Sequence, residues 1–151
     1  KVIDIKGNNI IIEGNNHTIT VKSTAANAAI NVKTKNAIIR NVKIKNESKK
    51  PGLTVYNAKA GTNDTGVNLS NIEIIGSKTA VALDIYNSTV ELTDIKCSNS
   101  LYKDIQIRTN SVVTLKYACK VMRKSVISFN TSVSMSAFHL LLIQYSNISR
   151  C

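Results

Sequence analysis

The stretch Ala37-Ile38-Ile39-Arg40-Asn41-Val42-Lys43-Ile44-Lys45-Asn46 decides the fold, because its centre comes back twice further along the chain. Asn41-Val42-Lys43-Ile44 returns as Asn71-Ile72-Glu73-Ile74 and again as Asp94-Ile95-Lys96-Cys97, at steps of 30 and 23 residues. Such steps suit a chain that winds through successive coils with loops of variable length. In each copy a short side chain that tolerates a bend precedes two apolar residues flanking one polar residue. That alternation is the period of a strand.

A second family of strands interleaves with the first. Ile30-Asn31-Val32-Lys33, Leu53-Thr54-Val55-Tyr56, Leu83-Asp84-Ile85-Tyr86 and Ile105-Gln106-Ile107-Arg108 recur every 22 to 30 residues. Unlike strands returning in a fixed order are what a parallel β-helix produces, since each coil gives one strand to each of two or three sheets. An antiparallel sandwich would instead join similar strands through short hairpins. The predicted fold class is therefore all-β, a right-handed parallel β-helix with coils of about 22–30 residues. Stacking the copies predicts inward columns Val42-Ile72-Ile95, Ile44-Ile74-Cys97, Ile30-Leu53-Leu83-Ile105 and Val32-Val55-Ile85-Ile107. It also predicts a corner ladder of Asn41, Asn71 and Asp94, and an outward row of Lys43, Glu73 and Lys96 alternating in sign.

Working outward, Val2 to Val21 reads as short strands with glycine–asparagine corners at Gly7-Asn8-Asn9 and Gly14-Asn15-Asn16. Lys45 to Gly52, polar and holding the single proline, reads as a surface loop. The domain reading is β-helix coils over 1–117 and a distinct segment over 118–151. The latter holds both methionines, both phenylalanines and two of the three cysteines, and no acid. Two readings stand for it: divergent coils with a cap over the last rung, or foreign sequence from a frameshift. Cys119 and Cys151 could bridge, and Cys97 falls on an inward position as a small hydrophobe. The odd cysteine count and lack of ligand spacing point away from a zinc site.

The chain carries a net charge of +11 over 151 residues, concentrated at its ends. Residues 1–50 hold ten Lys or Arg against Asp4, Glu13 and Glu47; residues 51–117 balance to zero. Such asymmetry favours polyanions as partners. Base-stacking aromatics are missing beside Lys43, Lys45, Lys49 and Lys50, so nucleic acid is not expected. No apolar run approaches the roughly 18 residues of a membrane span, and membrane insertion is not expected. Lys1 at the start suggests a processed chain or part of a longer one.

Ile10-Ile11-Ile12-Glu13-Gly14 followed by residues 37–44 resembles the early coils of the pectate lyase superfamily. Gly52-Leu53-Thr54-Val55-Tyr56-Asn57, Thr65-Gly66-Val67 onward to Gly76, Asn87 to Leu92 and Ser111 to Lys116 are similar to the pectate lyase-like adhesive domains of Gram-positive surface proteins. The likeness covers residues 1–117 and implies a secreted or cell-wall location, extracellular in either case. It implies adhesion or recognition of acidic polysaccharide or cell-wall glycan, without catalysis and without a cofactor. The alternative it carries is a fragment of a polysaccharide lyase or hydrolase, which would use an arginine base and Ca2+ held by aspartates. No arginine here matches that base, and Asp84, Asp94 and Asp104 fall in different columns. Gly61-Thr62-Asn63-Asp64-Thr65-Gly66 is similar to the acidic motif of polygalacturonases, but the paired aspartates and the histidine and basic motifs that should follow are absent.

The candidate ligand-binding residues form one outward column, Lys33, Tyr56, Tyr86 and Arg108, with Asp84 and Gln106 in the neighbouring column beside Asn31 and Thr54. Phenol rings stack on sugar faces, cationic ends pair with carboxylates, and the polar neighbours take hydroxyls. Stacked outward tyrosines also stabilise sheets without binding anything. His17 and His139 have no visible metal partner, and no metal site is expected.

Overall fold

The computed structural model describes residues 3–76, 81–101 and 103–116, with the backbone of two further short strands at 120–121 and 133–134. All of its regular elements are strands, and the described residues contain no helix. They stack in parallel as a β-solenoid of about four turns. The elements in chain order are β1 (Ile3–Ile5), β2 (Ile11–Glu13), β3 (Thr18–Val21), β4 (Ile30–Val32), β5 (Ile38–Asn46), β6 (Leu53–Tyr56) and β7 (Val67–Gly76). They continue with β8 (Val81–Tyr86), β9 (Thr89–Ser98), β10 (Lys103–Arg108), β11 (Val112–Lys116), β12 (Lys120–Val121) and β13 (Val133–Ser134).

One sheet runs β1-β4-β6-β8-β10, and the other runs β13-β11-β9-β7-β5-β2 with β3 also on β5 and β12 also on β9. The second sheet is bent into two faces, because β5, β7 and β9 each turn a corner partway along. The bend sits at Asn41, Asn71 and Asp94, whose φ values are 56°, 48° and 51°. Alternation slips there: Leu69 and Ile72 are both buried, while Ser70 and Asn71 both lie outside. One residue in the left-handed region inserts an extra outward position and turns the strand, a conformation that asparagine tolerates better than most residues.

Every inward column expected from the repeats is present. Val42 pairs with Ile72 and Ile72 with Ile95, and Ile44 with Ile74 and Ile74 with Cys97. In the first sheet, Ile30, Leu53, Leu83 and Ile105 are in register, as are Val32, Val55, Ile85 and Ile107. These side chains are almost wholly buried and form one continuous core. Apolar burial of this kind is the dominant favourable contribution to folding.

The unequal repeat steps have a local cause. Between Asn57 and Val67 the chain leaves the coil in a longer corner, whereas the equivalent corner of the next coil is only Asn87-Ser88. Ala58 N–H donates to Ser88 Oγ at 3.0 Å and Ala60 N–H to Thr89 Oγ1 at 3.1 Å, so the longer corner is tied to the coil above it.

The segment 45–52 is the expected surface loop only in part: residues 47–52 form no strand and Lys49 and Lys50 are exposed. Lys45 and Asn46 still belong to β5, and Asn46 and Ser48 are fully buried. Asn46 Nδ2 donates to Lys50 O at 2.6 Å, while Ser48 N–H and Oγ–H both donate to Asn46 Oδ1. Polar composition suggested exposure throughout; the Asn46 and Ser48 side chains are inside, where they hydrogen-bond to each other and to the backbone of Lys50, while the lysines stay outside.

The ladder continues beyond residue 117, since Lys120 pairs with Lys96, Val121 with Cys97, and Val133 with Val113. The remainder of residues 118–151, including the Cys119 and Cys151 pairing and His139, lies outside the described residues.

Candidate functional site

The outer face of the first sheet carries the expected column. Tyr56 is in register with Tyr86, and Tyr86 with Arg108; Lys33 directly follows Val32, the partner of Val55. The parallel register sets the side chains one rung apart, about 4.8 Å. The phenol rings of Tyr56 and Tyr86 stack with centroids 4.8 Å apart and planes 13° from parallel. Arg108 Cζ lies 5.2 Å from the Tyr86 centroid, a cation–π contact. Because β8 lies between β6 and β10, Tyr86 has Tyr56 against one face and Arg108 against the other.

This differs from the expected sugar platform. Both faces of Tyr86 are occupied within the column, so Tyr86 presents its ring edge and hydroxyl to a ligand, while Tyr56, 45% exposed, has one face stacked on Tyr86. The cause is the rung spacing of about 4.8 Å, which falls within the range of centroid separations at which offset rings stack.

The neighbouring column is a hydrogen-bonded series. Asn31 Nδ2 donates to Asp4 Oδ1 at 2.8 Å, and Thr54 Oγ1 donates to Asn31 Oδ1 at 2.6 Å. Higher up, Arg108 grips Asp84 with two parallel bonds, Nε to Oδ1 at 3.0 Å and Nη2 to Oδ2 at 2.7 Å. Gln106 stands in register above Asp84, half-buried. Asp84 thus takes two of the five guanidinium N–H donors and leaves three. Lys33 is exposed, and among the described residues its ammonium has no ion-pair partner. The structure therefore brings Tyr56, Tyr86, Arg108, Asp84 and Gln106 together on one face, with Lys33 at its lower end.

The other basic residues are dispersed. Arg40 binds Glu13 at 2.6 Å on the first half of the bent sheet, and Lys43 lies 3.6 Å from Glu73 on the second half. Asp84 is on the outer face of the first sheet, Asp94 forms a corner, and Asp104 is buried at 1% exposure. Among the described residues no three His, Cys, Asp or Glu side chains gather where a metal ion could be held.

Two features escaped the sequence reading. Asp64, within the stretch similar to the polygalacturonase motif, is committed to a clamp. It accepts from Lys35 Nζ at 2.7 Å, Gly61 N–H at 2.9 Å and Asn36 Nδ2 at 3.1 Å, which together hold its carboxyl down at about 2. Beside this clamp lies a recess of about 290 Å³, lined by Asn9, Ile11, Asn36, Ile38, Asn63 and Thr65. The available signal was the 30-residue step, whose extra residues build the recess wall.

Compared with family models, curated proteins and solved structures, the chain matches none.

Proposed function

We propose that this chain is a non-catalytic, extracellular β-helix module of the pectate lyase-like kind, serving adhesion or recognition of anionic glycans at a cell wall. The observation that carries this reading is the exposed column on the first sheet. The Lys33 ammonium, without an ion-pair partner among the described residues, the stacked Tyr56 and Tyr86, and a guanidinium with three further donors follow one another along the solenoid axis over about 14 Å, three rung spacings. Acidic sugar polymers present carboxylates and hydroxyls along a line, and such a row answers both. Carboxylates pair with the Lys33 ammonium at one end and accept from the remaining Arg108 N–H donors at the other, and hydroxyls meet the phenol hydroxyls between them. Asp84 offsets the guanidinium charge at 2.7 Å and fixes its orientation, so Arg108 offers an arriving carboxylate oriented N–H donors, while the unpaired charge among the described residues of the column is that of Lys33. The excess of basic residues in the N-terminal third adds long-range attraction for such a polymer.

The test is binding of oligogalacturonates and teichoic acid fragments by calorimetry. Tyr86→Ala and Arg108→Ala should each weaken binding by about tenfold, equivalent to about 1.4 kcal/mol. Raising salt from 50 to 300 mM should weaken it further, because exposed charges are screened. Unchanged affinity in both variants would remove this face as the site.

A further inference from the structure

We propose that the recess between the coil corners is a second binding site, one that takes a single neutral sugar ring of a glycan. The inference rests on the glycan-binding reading above but concerns a different surface and a different sugar chemistry. Three successive corners build the recess: Asn9 from the first coil, Asn36 from the second, and Asn63 and Thr65 from the longer third corner. Its floor is Ile11 and Ile38, in register on adjacent coils and pointing outward. Ile11 is 61% exposed, so its apolar surface is open to a ligand.

An apolar floor beneath a rim of amides and a hydroxyl fits a pyranose. Its C–H face covers the isoleucines, and its hydroxyls meet groups that can both donate and accept. Among the described residues the side-chain amides of Asn9 and Asn63 make no hydrogen bond within the protein, so they are available to a ligand. The volume of about 290 Å³ stands at the lower end for small-ligand sites and suits one ring. No lining residue is charged, and the adjacent Lys35 and Asp64 neutralise each other at 2.7 Å. A uronate carboxylate entering here would lose water without gaining a counter-charge, so the site discriminates toward neutral hexoses.

The wall is held in place before any ligand arrives. Asp64 ties Lys35, Asn36 and Gly61 together, and Thr65 N–H donates to Asn36 Oδ1 at 3.0 Å. Thr34 Oγ1 on the second coil donates to Asn8 Oδ1 on the first and ties down the turn that carries Asn9. Pre-organisation of this kind lowers the ordering cost of binding.

The experiment is side-chain and backbone amide NMR of the full chain, titrated separately with neutral hexose trisaccharides (gluco-, manno- and galacto-series) and with trigalacturonate. A neutral trisaccharide is expected to shift the Asn9, Asn36 and Asn63 amides, and trigalacturonate to shift residues around Tyr86 instead. Ile11→Asp should weaken the neutral sugar more than fivefold and leave trigalacturonate unaffected; a smaller change overturns the proposal. Asn63→Ala is the second variant, held to the same threshold, should Ile11→Asp fail to fold. Shifts around Tyr86 alone would overturn the recess site and leave the anionic reading standing. Shifts in the recess alone would support this site and overturn the tyrosine column, and no shifts with any sugar would overturn both.

Discussion

At the scale of single residues, the most consequential side chains are short and polar. Asn71 Nδ2 donates to Asn41 Oδ1 at 2.7 Å, and Asn41 Nδ2 donates in turn to Glu13 Oε1 at 2.7 Å. The series runs toward the first coil and ends on a carboxylate, a group that only accepts. The Asn31 series ends on Asp4 in the same way. Bonds from Asn41 and then the Asn15 N–H lower the Glu13 pKa. Asn71 combines this bond with a left-handed backbone, so two substitutions separate the contributions. Asn71→Gly keeps the backbone freedom and should cost about 1 kcal/mol for the lost hydrogen bond. Asn71→Ala loses both and should cost about 2–3 kcal/mol, read from urea unfolding. Equal costs would mean that the corner conformation contributes nothing.

Asp64 offers a test by acid. Its pKa is about 2 in the folded chain against an ordinary value of 3.8. A depressed carboxyl contributes stability that is fully present above about pH 4 and is lost as pH falls toward 2. The carboxyl resonance of Asp64 should therefore titrate well below 3.8, and Asp64→Asn should flatten that part of the acid-stability curve. A midpoint at the ordinary value would show that the clamp does not hold in solution.

At the scale of elements, the strands differ in what they demand of the residues between them. Gly66 enters β7 with φ of +73°, and a Cβ placed there would stand 2.5 Å from Thr89 O. That neighbour is backbone and cannot swing away, so Gly66→Ala combines strain with a clash and should destabilise by at least about 2 kcal/mol. Thermal unfolding measures it, and a neutral result would mean that the corner takes another path. The strands themselves were legible from sequence because alternation and register leave an apolar column at each inward position, as Ile72 and Leu83 illustrate. The corners were half legible: Asn41 was recognisable as a bend by its recurrence, whereas Asn46 and Ser48 read as surface because hydrophilic composition does not reveal mutual hydrogen bonding. The face chosen as the candidate site was legible by position. The stacking of Tyr86 between Tyr56 and Arg108 was not, since it depends on ring orientation. The recess was not legible at all, because its lining comes from three corners separated by about one coil each.

At the scale of the whole molecule, the three faces divide their charges differently. The first sheet cancels Arg108 against Asp84 and, among the described residues, keeps Lys33 unpaired; the first half of the bent sheet cancels Arg40 against Glu13 and Lys116 against Glu91, and the second half partly cancels Lys43 against Glu73. The basic residues of the described coils therefore do not form a uniform coat. No helix of the described residues is long and apolar enough to cross a membrane.

The parallel stacking of rungs sets how such a molecule would answer tension. Every ladder bond lies along the solenoid axis, so pulling residue 5 away from residue 115 loads one rung at a time, as in opening a zipper, instead of shearing all bonds together. Each released coil should lengthen the tether by its own contour, roughly 7–10 nm for repeats of 23 and 30 residues. The longer corner that closes the recess gives one coil the larger step. Single-molecule pulling would show a staircase of low, unequal steps; a single rupture releasing the whole length would mean that the coils yield together.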